Sequence, residues 1–197
     1  IGIHNELIVD RILAPGAFLI DSEGNDVLLP NKYLPTGIKT GDQIKVFVYN
    51  DSEDRIVATT LRPLLQLHEF GYLKVKDTNN IGAFLDWGLE KDLLVPFRQQ
   101  HRRLSIGQWC LVYLYIDTLT HRLAATTKVE KYFKKENIKL KVNQEVDLLI
   151  TSESDLGVNV IINNSYSGMI FRKEIYKHII NGDRVKGYIE QVRSDGK

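Results

Sequence analysis

Short segments of alternating apolar and polar residues recur along this chain, and turn-forming residues separate them. In the middle third, residues 72–76 and 83–87 alternate, residues 93–95 are apolar, residues 109–117 are rich in aromatic and branched side chains, and residues 123–127 close the unit. Segments of this length and composition predict five short β-strands. No long amphipathic pattern lies between them, which disfavours a doubly wound α/β fold. Five short strands bury their apolar faces when the sheet curls and closes, so we predict a small Greek-key barrel, the OB-fold.

The strand pattern is duplicated at a nearly constant spacing. Residues 16–19 return as residues 82–85, a shift of 66 positions, and residues 46–51 return as residues 112–117 at the same shift. A third, weaker copy is shifted by a further 75 positions and includes Gly157. The repeats indicate a tandem array of one small fold.

The extra residues of the third copy fall around positions 131–139, where the spacing of charges and aromatic rings predicts a linker of one or two helical turns. We therefore predict an all-β protein of three tandem five-stranded OB-fold barrels with short helical linkers. The domains are expected at residues 1–62, at 63–130, and at 131–197, where a degenerate barrel follows the linker. Residues 194–197 are typical of a hairpin turn, so the third barrel is expected to be incomplete at residue 197.

The composition is that of a folded protein, with 43% hydrophobic and 26% charged residues. No segment approaches the roughly 20 apolar residues that span a bilayer, and no membrane association is expected. The one cysteine, Cys110, excludes an internal disulfide and lies in an apolar run. A buried, inert thiol is therefore favoured over a nucleophile. These features indicate a cytoplasmic protein.

Net charge differs between the three units, although the whole chain carries only +1. Residues 1–62 hold 6 basic and 9 acidic side chains (−3), residues 63–130 hold 8 and 7 (+1), and residues 131–197 hold 12 and 9 (+3). Because affinity for RNA depends largely on neutralising phosphates, the third unit is expected to attract RNA most and the first least. The acidic first unit suits contacts with other proteins.

The order of these motifs resembles the RNA-binding domain first named in the ribosomal small-subunit protein S-one. The second unit matches that domain at Gly82, Phe84, residues 93–95, Gly107, Asp117 and Arg122. The first unit matches it at Gly16, Phe18, Leu28, Gly41, Asp51 and Arg55. More narrowly, residues 82–96 are similar to the conserved virulence factor B family of bacteria, in which tandem S-one-type domains precede a C-terminal winged helix. The resemblance implies single-stranded RNA as the partner. It also implies that the last strand of the third barrel and a winged helix lie beyond residue 197.

The chain departs from the family pattern at two places. Pro30, Pro96 and Phe171 stand where the family has a histidine. In the third unit, Asn159 takes the place of the phenylalanine in the Gly-x-Phe motif. The resemblance therefore implies no stacking ring in that unit.

Strand alternation assigns directions to the side chains of the second unit. If its alternating apolar residues face the core, Phe84 faces outward, and Lys74 and Lys76 do so on the neighbouring strand. An exposed ring flanked by cations suits base stacking combined with phosphate contacts. A one-residue change of register would bury Phe84 instead. Asp117 either accepts a hydrogen bond from a base edge, orients Arg122, or only shapes its turn.

These arguments give a set of expected RNA-binding residues. In the second unit they are Phe84, Lys74, Lys76, Asp117, Arg122 and Arg98. In the first unit they are Phe18 and Arg55, and in the third unit they are Arg172, Lys173, Arg184, Lys186 and Arg193. We expect base stacking chiefly from the second unit and attraction for the RNA backbone chiefly from the third.

The sequence carries no pattern typical of catalysis or of a metal site. Its five histidines lack ligand spacing, and it has neither a Gly-rich phosphate loop nor a nucleophile elbow. We therefore expect no metal, no cofactor and no enzyme activity, and we predict a bacterial post-transcriptional regulator that binds RNA. Two alternatives stay open: a protein-interaction scaffold built from OB barrels, and the accessory RNA-binding part of a ribonuclease.

Overall fold

The fold is all-β, as predicted, with three antiparallel-rich sheets following one another along the chain. The computed structural model describes residues 1–176 and 178–192. Helical structure in this part of the chain is confined to four 3-10 turns of three or four residues. None of its helices is long and apolar enough to cross a membrane.

The first sheet is a closed five-stranded barrel with the strand order β1-β2-β3-β5-β4. A parallel pair between β3 and β5 and an antiparallel pair between β1 and β4 close it. Its interior is filled by fully buried side chains such as Val9, Leu19, Leu29 and Val46. The strands are β1 (His4–Leu13), β2 (Gly16–Ile20), β3 (Asp26–Pro30), β4 (Gln43–Asn50) and β5 (Ile56–Thr59).

The second sheet has the order β10-β9-β6-β7-β8, and β10 lies beside β8, so this barrel is nearly closed. All five strands fall where the alternation of the sequence predicted them. Cys110 lies in its core. The strands are β6 (Phe70–Thr78), β7 (Gly82–Asp86), β8 (Leu93–Pro96), β9 (Trp109–Ile116) and β10 (Leu123–Thr126).

The third sheet has four strands within the described residues, in the order β13-β12-β11-β14. The strand expected beyond residue 197 lies outside this part of the chain. The predicted linker contains one 3-10 turn, Val129–Tyr132. The division of the chain at residues 62 and 130 stays a prediction. The strands are β11 (Glu145–Ser154), β12 (Gly157–Ile162), β13 (Tyr166–Phe171) and β14 (Arg184–Tyr188).

The three copies share their backbone hydrogen bonds at the spacings found in the sequence. In each, the glycine before the fourth strand donates its N–H over 2.8 Å to a carbonyl of the first strand. The pairs are Gly41 to Val9, Gly107 to Val75, and Gly182 to Ile150. A second glycine opens the second strand of each copy, where a Cβ would lie 2.0–2.3 Å from a carbonyl oxygen of the third strand. These glycines are Gly16, Gly82 and Gly157, so the weak third copy is the same fold.

Aromatic side chains fill the contact between the second and third sheets. Phe70 is buried against Tyr113 and Phe133, with ring centroids 4.8 and 5.1 Å apart, and Tyr132 stacks on Tyr113 at 3.8 Å. Asn164, in the turn between β12 and β13, accepts a hydrogen bond from the Phe70 N–H at 2.8 Å. The linker rings and this amide hold the two sheets against one another.

Candidate nucleic-acid interface

Phe84 lies on the outside of the second barrel, half-buried, between the fully buried Ala83 and Leu85. On the neighbouring strand Lys74 and Lys76 are exposed. These orientations follow from the alternation of side chains in a strand, and they bring a ring and two cations onto one face. This face of β6 and β7 is the candidate nucleic-acid interface.

The two lysines of this face are not equivalent. Lys76 binds the carboxylate of Asp92 at 3.0 Å, and this hydrogen bond raises the pKa of the Lys76 ammonium. Lys74 makes no ion pair with any residue that the structure describes. Lys74 is therefore the cation of this face that a phosphate would bind with the least competition.

The first barrel places Phe18 at the equivalent position, but its ring is covered. The Arg11 guanidinium lies 4.3 Å from the centre of the Phe18 ring. Asp10 and Asp26 hold that guanidinium at 2.6 and 2.8 Å. In the strand pairing of the second barrel, Asp77 takes the place of Arg11, so the ring of Phe84 has no cation above it among the described residues.

The third sheet has no ring at this position. Asn159 occupies it, as the alignment of the repeats predicted, and its amide donates a hydrogen bond to Ser152 at 3.1 Å. Among the described residues, only the second copy therefore combines a ring that has no cation above it with an adjacent lysine that makes no ion pair.

The hairpin residues of the second barrel are paired differently from the expected arrangement. The Asp117 carboxylate contacts Arg98 at 3.1 Å, and not Arg122. It also accepts the N–H groups of Thr120 and Leu119, which hold the pKa of Asp117 below its ordinary value. One oxygen of the Asp117 carboxylate accepts the turn N–H groups, and the other oxygen contacts Arg98. Asp117 therefore shapes its turn and pairs with Arg98.

Arg122 reaches across to the first barrel. Its guanidinium binds Asp54 at 2.7 Å, and the Lys91 ammonium binds the same carboxylate at 3.0 Å. In the first barrel, the equivalent Arg55 pairs with Asp51 at 2.7 Å and with Glu53 at 3.0 Å. Both arginines are thus engaged by carboxylates.

The expected cations of the third unit that lie within the described residues are engaged by carboxylates or backbone carbonyls. Lys186 binds Asp147 at 2.8 Å, and Lys173 lies 3.4 Å from Glu174. Two arginines donate to backbone carbonyls, and Arg193 lies outside the described residues. These contacts are Arg172 to Ser154 at 3.1 Å and Arg184 to Phe70 at 3.0 Å.

Two aromatic residues that we did not assign from the sequence lie beside the candidate interface. Trp109 stands directly opposite Lys74 in the pairing of β6 with β9, and it is 53% exposed. Tyr72 is on the same face of β6. The alternation that directed Lys74 outward also directs Tyr72 outward, so the sequence contained the signal.

The chemistry of the remaining groups is limited. Burial raises the pKa of the Cys110 thiol to about 12, which leaves it protonated at neutral pH. Within residues 1–176 and 178–192, no three His, Cys, Asp or Glu side chains are grouped to hold a metal ion.

Comparisons with known proteins agree with the fold and with the resemblance found in the sequence. The S1 domain model matches residues 1–61 and 69–128. The uncharacterized protein YitL of Bacillus subtilis is 27% identical over 96% of this chain and 66% of its own length. Conserved virulence factor B of Staphylococcus haemolyticus is 31% identical over 49% of this chain and 34% of its own length. The chain thus spans about two thirds of one relative and about one third of the other.

A solved structure has the same architecture. It is a multidomain protein with nucleic acid binding domains from Streptococcus pneumoniae, 18% identical, with a TM-score of 0.55 over 100% of this chain and 71% of that one. At this identity the likeness shows the fold. The predicted resemblance to S-one-type and virulence factor B proteins is confirmed, and the chain belongs to the S1 domain family.

Proposed function

We propose that this protein is a non-catalytic RNA-binding protein of the bacterial cytoplasm and acts as a post-transcriptional regulator. Single-stranded RNA binds to the outer face of β6 and β7, where a base stacks on Phe84 and a phosphate pairs with Lys74. The second barrel supplies most of the affinity. The first and third units position the strand and add weaker contacts.

The observation that carries this proposal is the difference between Phe84 and Phe18. Both are outward-facing rings at equivalent positions, but Arg11 covers Phe18 and no cation of the described residues covers Phe84. A base needs an open ring face, and stacking contributes about 1–3 kcal/mol per base. Of these two rings, Phe84 is the one that has no cation over it among the described residues, which supports the second barrel as the stacking site.

The comparisons support the same partner. The chain is a tandem S1 domain protein, and its structural neighbour in Streptococcus pneumoniae is described as having nucleic acid binding domains. The alternative of a protein scaffold rested on the acidic first unit. Asp54 of that unit is already bound by Arg122 and Lys91, so part of the acidic surface serves the contact between barrels.

The proposal is tested by fluorescence anisotropy with a short labelled oligouridylate. Phe84→Ala is expected to weaken binding by about 1–3 kcal/mol, whereas Phe18→Ala, the matched control, leaves it nearly unchanged. Lys74→Gln should reduce the slope of log affinity against log salt by about 0.7, as expected for one lost phosphate contact. If all three variants bound the RNA with the affinity of the wild-type chain, the assignment of the interface would be refuted.

The same titration separates the alternatives. Absence of binding at low salt would exclude RNA as the partner and favour the scaffold. Cleavage of the labelled RNA by the purified chain would refute the non-catalytic assignment.

A further inference from the structure

Trp109 and Tyr72 form an aromatic pair outside the interface proposed above. Their rings are nearly parallel, at 8°, with centroids 6.1 Å apart. Tyr72 is half-buried, whereas Trp109 leaves 53% of its surface to solvent. An indole exposed to this degree on a regular strand gains little from the core of its own barrel.

The third unit fixes the position of Tyr72. Gly182 packs so closely on it that a Cβ on the glycine would lie 3.2 Å from the Tyr72 side chain. The equivalent glycines, Gly41 and Gly107, have no such neighbour within 4 Å. Tyr72 thus packs against Gly182 of the third unit and stacks on Trp109.

The aromatic side chain at this position is particular to the second barrel. The repeat spacing places Gln43 of the first barrel and Arg184 of the third sheet where the second has Trp109, each at the start of its strand. In the first barrel, Gln43 donates a hydrogen bond to Glu6 and supports the same strand pairing. The fold therefore accepts glutamine here, and the indole is not needed to form the strand.

The surroundings of the pair suit a nucleotide. Lys74, unpaired among the described residues, lies directly across from Trp109 on β6, and Asp86 on β7 is the next residue in the same row. Phe84 is two residues from Asp86 along β7. Since neighbouring strands lie about 4.8 Å apart, the strand of Trp109 is about 10 Å from the strand of Phe84. Lys74 lies on β6, the strand between those of the two rings, where it would meet the backbone of an RNA strand that crosses both.

We propose that Trp109, supported by Tyr72, is a second base-stacking platform, which takes a nucleobase of the single-stranded RNA whose neighbouring base stacks on Phe84. This inference rests on the proposed function and extends it to a face formed by β6 and β9. In this arrangement the bound RNA crosses the second barrel toward the third unit. Gly182 of that unit packs against Tyr72.

The chain provides its own reporter for the test. It contains two tryptophans. Trp87 is 2% exposed and donates its indole N–H to the Lys91 carbonyl at 2.7 Å, so a ligand in solution reaches Trp109 and not Trp87. Binding of an unlabelled oligouridylate to the intact chain is expected to quench the tryptophan emission. The quenching should vanish in Trp109→Gln, which introduces the residue of the first barrel.

Affinity is measured separately by anisotropy of labelled oligouridylate. Trp109→Gln is expected to weaken binding by at least about fivefold, the lower end of what one stacked base contributes. Trp109→Phe, which keeps a ring, should bind more tightly than Trp109→Gln. Circular dichroism melting should be nearly the same for both variants because the side chain is exposed.

The outcomes separate this inference from the proposed function. RNA binding by anisotropy, without quenching and with unchanged affinity of Trp109→Gln, would overturn the platform and leave the proposed function standing. No RNA binding by the wild-type chain would overturn both.

Discussion

Replacing Asn164 by glycine is predicted to loosen the contact between the second and third sheets. Its side-chain carbonyl accepts the Phe70 N–H at 2.8 Å, and its amide donates to the His68 carbonyl at 2.9 Å. One side chain thus accepts a hydrogen bond from one backbone group of the neighbouring barrel and donates a hydrogen bond to another. Because Asn164 has a φ of +52°, glycine keeps the backbone without strain, and an alanine would not.

The expected loss follows from these two bonds. A hydrogen bond within a protein contributes about 0.5–1.5 kcal/mol net, so the variant should lose about 1–3 kcal/mol of the contact between the sheets. Phe70 remains buried against Phe133, so the sheets stay together and the loss is a local opening. At about 1.4 kcal/mol per tenfold change, protection of the Phe70 amide from hydrogen exchange should fall by about 5- to 150-fold.

Asn163 provides a matched control. It also has a positive φ, +46°, but its side-chain carbonyl accepts a hydrogen bond from the backbone N–H of Asp147 in the third sheet, at 2.9 Å. Asn163→Gly therefore has the same backbone entropy cost without touching the second barrel. Exchange of the Phe70 amide, followed by NMR in both variants, is the decisive measurement. Equal protection of that amide in the two variants would refute the bridging role of Asn164.

Two further predictions concern single side chains of the second barrel. Cys110, whose pKa burial raises to about 12, should react with a disulfide reagent at pH 8 at least about tenfold more slowly in the native chain than after denaturation, measured by absorbance of the released thiolate. Rapid native labelling would contradict its buried position. Asp117→Asn should destabilise the protein at pH 7. The turn amides lower the pKa of this carboxyl in the folded state. The stability that the carboxylate contributes is therefore present above its unfolded pKa of about 3.9. Urea unfolding should show that difference shrinking as pH falls through the folded pKa, and a constant difference down to pH 2 would contradict the assignment.

The strand positions could be predicted from the sequence because each copy obeys two strong rules. Side chains alternate between core and solvent, which directed Leu85 inward and Phe84 outward. Glycines recur where the backbone has no room for a side chain, as at Gly82, where a Cβ would meet the Val95 carbonyl. Both rules act within one barrel, so one copy was enough to apply them.

The partners of the charged side chains could not be predicted in this way. Asp117 and Arg122 are close in sequence, but Arg122 binds Asp54, which lies 68 positions earlier in another barrel. Such pairs depend on how two barrels meet, and alternation carries no information about that. The covering of Phe18 by Arg11 depends on a register shift in β1, which the strand pattern does not reveal.

The three copies differ at their outward-facing positions because the barrel fold constrains mainly the inward-facing side chains and the backbone. Inward positions and ladder bonds recur in all three because each sheet needs them to pair its strands and to bury its apolar side chains. Outward positions carry no such requirement. The residue paired with Phe84, or with its equivalent, is Arg11 in the first copy, Asp77 in the second and Ser152 in the third. Net charge per unit therefore does not tell which cations are held in ion pairs. The third unit has the largest positive charge, yet its Lys186 is bound by Asp147, while Lys74 of the nearly neutral second unit makes no ion pair with any described residue.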